Sequence, residues 1–316
     1  MDRKILYGII ILIVLGGSIA VWQYMQPKEF TITVSGAFAL YPLMVEWGDE
    51  YSKIHPNVHF SVSAGGAGKG MTDALGGLVD IGMVSRSVSP DEVSQGAFYV
   101  ACVKDCVLVT INANNPVLLD LEEKGISKQV LIDIFVTGNV TTWGQLVGKP
   151  DINLPINVYV RSDSCGATDT LVAYMNKKST DLKGTGIYGD PGVADAVKAD
   201  INGIGYNNLN FAYDVSTGKP VTGLSIIPLD VNGNGVIDSS ESFYGELGDI
   251  VNAIATGAYP SPPARELNLV TKNSFSGETL SFVKWVLADG QKLAVANGYV
   301  PLTSERASEM LKKLGG

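Results

Sequence analysis

Residues 30–78 read FTITVSGAFALYPLMVEWGDEYSKIHPNVHFSVSAGGAGKGMTDALGGL, and the spacing of their apolar side chains decides the fold. Phe30, Ile32 and Val34 alternate as the buried face of a strand does, and residues 35–39 break that alternation. Leu40, Met44, Trp47, Tyr51 and Ile54 then recur at intervals of four and three, which is one face of a helix. Pro42 suits its first turn, where a missing N–H costs no intrahelical bond. The cycle repeats at once. Val58, Phe60 and Val62 alternate, the glycine-rich run 64–68 interrupts, and Met71, Ala74, Leu75 and Leu78 resume helical spacing. A third strand, 79–84, leads into Ser85-Arg86-Ser87. Strands alternating with helices predict an α/β fold with a parallel sheet, whose strand-to-helix loops gather along one edge and bind ligands there.

The same pattern returns downstream. Residues 156–160 read as a strand, 161–166 (RSDSCG) as a loop and 167–177 as a helix. The first N–H groups of each such helix lack an intrachain acceptor and carry the positive end of its dipole, so small residues there let an oxyanion approach the backbone. Arg161 adds a forked cation that matches paired oxygens. None of these loops ends in the Lys-Ser/Thr pair that a nucleotide phosphate loop needs, which disfavours a nucleotide.

The chain has 316 residues, 46% of them apolar and 17% charged, enough to bury one or two full cores. Its net charge of −9 supplies no basic field for a nucleic acid, so any anion must be held locally. Residues 5–22 (ILYGIIILIVLGGSIAVW) carry no charge and follow Arg3 and Lys4. That is the pattern of an uncleaved single-span anchor with the rest of the chain on the extracytoplasmic side of the membrane, a cleaved secretory signal being the alternative that bulky Val21, Trp22 and Tyr24 disfavour. Cys102, Cys106 and Cys165 make no disulfide framework, and His55 and His59 are too few for a zinc site. No general base stands near a nucleophile in sequence, so an enzyme is not expected.

The segments SGAFALYPLMVEW, SAGGAGKGMTDAL, VDIGMVSRSV and VYVRSDSCGATDT, in that order, resemble the phosphate ABC-transporter substrate-binding proteins. The resemblance continues through IFVTGNVTTWGQL, INGIGYNNLNF, GAYPSPPARELNLVTK and DGQKLAVANGYVPL. It implies a two-lobed type II periplasmic-binding-protein fold with a hinge of two crossover strands, which closes on a dehydrated oxyanion and delivers it to an ABC permease. One lobe is expected from 30–106 and 267–316 and the other from 107–266, after an N-terminal segment 1–29; a monomer is expected. Transferred by position, the resemblance implies oxyanion contacts from the backbone of Leu40 and Tyr41, from Ala67, Gly68, Ser85 and Arg86, and from Arg161, Cys165, Gly166 and Ala167. In that comparison the first loop has Ala37 to Leu40 where the family offers hydroxyls or small donors, three further hydroxyls are replaced by Ala67, Cys165 and Ala167, and the proton-accepting Asp by Ser85. A hydrogen bond to a charged group contributes about 1.5–3 kcal/mol, so a tethered sensor that has lost tight anion binding is the alternative.

A second site is spelled by residues 230–241, DVNGNGVIDSSE. Asp230, Asn232, Asn234, the Val236 carbonyl, Asp238 and Glu241 fall at the ligand positions of a twelve-residue EF-hand calcium loop, with Gly235 at the turn. Residues 224–229 look strand-like, and Phe243, Leu247, Ile250, Val251 and Ile254 predict an exiting helix. A structural calcium ion of modest affinity is expected, the alternative being an Asx-rich turn without metal.

Overall fold

The computed structural model describes residues 28–315. The apolar run 5–22, expected as an anchor, lies outside them; among the described residues no helix is long and apolar enough to cross a membrane. The predicted alternation is present. Strand β1 (Phe30–Gly36) leads to helix α1 (Tyr41–Ile54), β2 (Val58–Ala64) to α2 (Ala67–Leu75), and β3 (Ile81–Val84) follows. β1 pairs in parallel with both β2 and β3. The third strand starts two residues later than its pattern suggests, because the Asp80 carboxylate takes the Thr33 amide at 2.8 Å and bends the chain before it enters the sheet.

Strand β4 (Ala97–Asn112) is long enough to serve both lobes. In the second lobe β5 (Asn157–Arg161) precedes helix α3 (Gly166–Met175), and β6 (Thr185–Ile187) precedes α4 (Gly189–Ala199). Strand β7 (Gly203–Asn208) follows, then helix α5 (Leu247–Thr256), strand β8 (Ala264–Lys272) and helix α6 (Gly277–Leu287). The strands run in the order β2-β1-β3-β8-β4-β7-β5-β6. β8 lies antiparallel to both β3 and β4, and β4 pairs antiparallel with β7 beyond Cys106, so β4 and β8 carry the chain between the lobes.

The apolar interior divides in the same way. One cluster gathers Ile32, Trp47, Tyr51, Val103, Leu267 and Phe282; another gathers Cys106, Val107, Phe135, Trp143, Tyr206 and Ile250. Tyr51 meets the rings of Phe282 and Trp285 edge-on at 5.2 and 5.4 Å, which docks helix α6 on α1. Residues 260–263 form a turn, closed by the Ala264 amide on the Pro260 carbonyl at 2.8 Å. One expectation about the calcium-type loop needs correction. The helix after the calcium-type loop begins only at Leu247, so Phe243 precedes it and packs instead against Tyr244, ring centroids 4.7 Å apart.

Candidate functional site

The strand-to-helix loops of the two lobes meet face to face. Gly66, with φ +91°, turns the chain from β2 into α2, and its amide and that of Gly65 both donate to the Gly36 carbonyl, which ties the first two loops together. Across the cleft, the Gly68 amide donates to the Ser164 carbonyl at 3.0 Å. Gly166 opens α3 against the third loop: a Cβ added there would stand 2.1 Å from the Ser85 carbonyl oxygen. Thus Ala67, Gly68 and Ser85 of one lobe and Cys165, Gly166 and Ala167 of the other come together at one junction.

Arg161 stands at the end of β5, its side chain 1% exposed, with its guanidinium carbon 5.2 Å from the centre of the Phe38 ring. Its Nε donates to Asp163 Oδ1 at 2.7 Å, Nη2 pairs with the same carboxylate, and Nη1 pairs with Asp190. Burial alone would favour loss of the proton, but Asp190 and then Asp163 raise the guanidinium above its ordinary pKa and keep it charged. Asp190 is in turn fixed by the Asn208 amide at 3.0 Å and its side-chain nitrogen at 2.7 Å. The local balance is one cation against two carboxylates, so an anion here depends on backbone N–H groups. Those of Gly166 and Ala167 lie in the first helical turn, where no carbonyl stands one turn earlier to accept them.

The remaining expected residues are placed differently. The Leu40 amide donates to the Ala37 carbonyl at 3.2 Å and that of Tyr41 to Phe38, so both serve the short turn Phe38–Leu40. Arg86 forks onto Glu92 at 2.9 and 2.7 Å and reaches Asp169 of the other lobe at 3.4 Å. Cys165 caps α3: its sulfur accepts the Thr168 amide at 3.5 Å and lies 3.2 Å from the Thr168 hydroxyl. Burial pushes the thiol above its ordinary pKa, so it stands protonated and unreactive.

The spacing of the sequence does not reveal Asp163 and Asp190 as partners of Arg161, nor Arg265. From the hinge strand β8, Arg265 donates to Asp105 at 2.9 Å, to Thr170 at 2.9 Å, and to the carbonyl of Gly166 and the side chain of Asn208. It ties the hinge to the first turn of α3. A cleft of about 500 Å³ beside it is lined by Arg86, Asp169, Thr170, Arg265, Glu266 and Arg306. Each of its arginines already faces a carboxylate, as Arg161 does, so what sets the loop junction apart is the first-turn amides of Gly166 and Ala167.

Comparison with known proteins agrees with this architecture. The profile of the PBP superfamily domain matches residues 25–289. The phosphate-binding protein PstS of Xylella fastidiosa is 26% identical over 88% of this chain and 83% of its own length. That of Methanocaldococcus jannaschii is 28% identical over 89% and 85%. Among solved structures, a Clostridium perfringens protein crystallised with bound phosphate superposes with a TM-score of 0.70 at 22% identity, over 86% of this chain and 100% of that one. An ABC-type phosphate transport receptor of Vibrio cholerae gives 0.62 at 19%, with the same coverage.

Proposed function

Because the chain belongs to the PBP superfamily, we propose that it captures inorganic phosphate or a related tetrahedral oxyanion between its lobes and delivers it to an ABC permease. One observation carries this: the first turns of α2 and α3, on opposite lobes, converge beside a charged, buried Arg161. The relatives named as phosphate-binding proteins support phosphate as the ligand. In this proposal the apolar run 5–22 tethers the protein to the outer face of the membrane, and the permease is met there. In this proposal its role is capture, not catalysis, and the buried, protonated Cys165 thiol fits that reading.

Opening separates Gly68 from Ser164 and Gly166 from Ser85, and an oxyanion bound to both helix starts replaces those contacts. The ligand shifts the open-closed equilibrium by its preference for the closed form. The saturation of Arg161 by Asp163 and Asp190 favours one second reading, a tethered sensor with weak anion binding. Calorimetric titration of the full chain in detergent with phosphate, sulfate, arsenate, molybdate and tungstate separates the two. Heat with phosphate or a tetrahedral relative is expected; silence toward all five overturns oxyanion capture in favour of the sensor.

A further inference from the structure

Residues 230–241 keep two carboxylates out of water. Asp230 is 4% exposed and Glu241 5%, and neither joins an ion pair among the described residues. Asp230 is satisfied by the amides of Gly233, Asn234 and Gly235 at 2.7, 3.1 and 2.9 Å. Glu241 is not. Its Oε1 accepts the amides of Val231 and Asn232 at 2.8 and 3.2 Å, which holds the carboxylate over the first turn of the loop, while its buried Oε2 has no partner. A buried, half-satisfied carboxylate without a counter-charge is strongly destabilising unless something positive completes it.

We propose that a calcium ion completes it, with Glu241 Oε2 as the anchoring ligand and Asp230, Asn232, Asn234, the Val236 carbonyl and Asp238 as the other oxygen donors. No group of three or more His, Cys, Asp or Glu side chains gathers as a metal cage among the described residues. The loop does not depend on one. Three of its six donors are amide or backbone oxygens, and position nine, Asp238, commonly acts through water in such loops. Here Asp238 is turned to the Ser240 amide and to Asn232, both at 3.0 Å. Hard oxygen donors in a flexible ring suit calcium better than magnesium, which demands a tighter octahedron.

The ring is bolted to the second lobe at both ends. The Leu229 amide donates to the Tyr244 hydroxyl at 3.0 Å, and the Ile237 amide to the Glu123 carbonyl at 2.7 Å, at the end of helix Leu118–Lys124. The ion therefore pins the loop to a folded platform, independently of what the cleft binds.

Chelator-treated full chain in detergent, titrated with calcium chloride, should show one site with a dissociation constant of about 10⁻⁴–10⁻³ M. Terbium should bind competitively and luminesce through Tyr174, which shares a surface cleft with Val231. E241Q should abolish both signals yet raise the thermal midpoint of the metal-free protein, because the uncompensated charge is gone. N234A, at an exposed position, should weaken calcium by about tenfold without loss of fold. Absence of calcium heat and terbium light up to about 10 mM overturns the site. Unchanged affinity in E241Q, or in N234A should E241Q fail to fold, does so as well.

Discussion

The amide of Gly68 donates to the carbonyl oxygen of Ser164 at 3.0 Å, so the lobes are joined backbone to backbone at the loop junction. A carbonyl oxygen is an acceptor, and it takes the position a ligand oxygen needs in order to use that amide. On the proposed function, ligand and lobe contact compete for that one donor. An oxyanion that takes it displaces a bond whose net contribution is about 0.5–1.5 kcal/mol.

Gly166→Ala should separate closure from folding. The three nearest atoms to a Cβ at Gly166 all belong to Ser85, on the other lobe, the nearest at 2.1 Å. Within its own lobe the added methyl suits a helix, where Ala is favoured over Gly by about 1 kcal/mol in the interior. The thermal midpoint should hold or rise, small-angle scattering should report a larger radius of gyration, and oxyanion affinity should fall by about tenfold or more. A radius equal to that of the unsubstituted chain would show that Ser85 yields, and would sink the steric claim.

Arg161→Ala removes the cation between two carboxylates that are 5% and 0% exposed. Loss of one partner from a buried pair costs about 3–5 kcal/mol, because the remaining charge is stranded. Arg161→Lys keeps the charge but cannot fork onto Asp163 and Asp190 together, so a smaller loss is expected. Urea denaturation of both variants measures the difference. An alanine variant within about 1 kcal/mol of the parent would mean that the pairings with Asp163 and Asp190 add little.

Cys165→Ser should tighten anion binding. The sulfur already caps α3 by accepting the Thr168 amide at 3.5 Å, and a hydroxyl is the better cap and the better donor. One restored hydrogen bond to a charged ligand contributes about 1.5–3 kcal/mol, or roughly tenfold to a hundredfold in affinity. The parent thiol should resist alkylation until the protein unfolds, since burial keeps it protonated. A serine variant with unchanged phosphate affinity would place residue 165 outside the ligand shell.

The strand, loop and helix cycle is legible because each unit is local: Ile32 and Val34 alternate, and Met44, Trp47 and Tyr51 return at helical spacing, in adjacent stretches. The glycine-rich turns before α2 and α3 are legible for the same reason. What the spacing hides is made by distant parts of the chain. Asp190 reaches Arg161 from the start of α4, and Arg265 reaches Gly166 from the hinge strand, pairings that only the closed sheet creates. The amides of Leu40 and Tyr41 are hidden differently, since a turn that consumes its own donors looks in sequence like one that offers them.

Asp105 gives the hinge a pH dependence of definite sign. It is 1% exposed on β4, where burial raises its pKa while Arg265 pulls the other way, leaving it at about 6 against a reference of 3.8. The folded state thus holds this proton more tightly than the unfolded chain does. Stability from that term is fully present below the unfolded value and is lost as pH rises from 3.8 through about 6, amounting to about 3 kcal/mol. Above that window the carboxylate is ionised in both states and the term is flat. Asp105→Asn removes the titration and leaves a constant offset, so the stability of the variant minus that of the parent should climb between about pH 4 and pH 6 and then level off. Because Arg265 also bonds the Gly166 carbonyl, protonation of Asp105 loosens one end of the tie between hinge and α3. Urea titrations of both proteins across this range test the sign directly, and a difference that stays level from pH 4 upward would remove Asp105 as the titrating group.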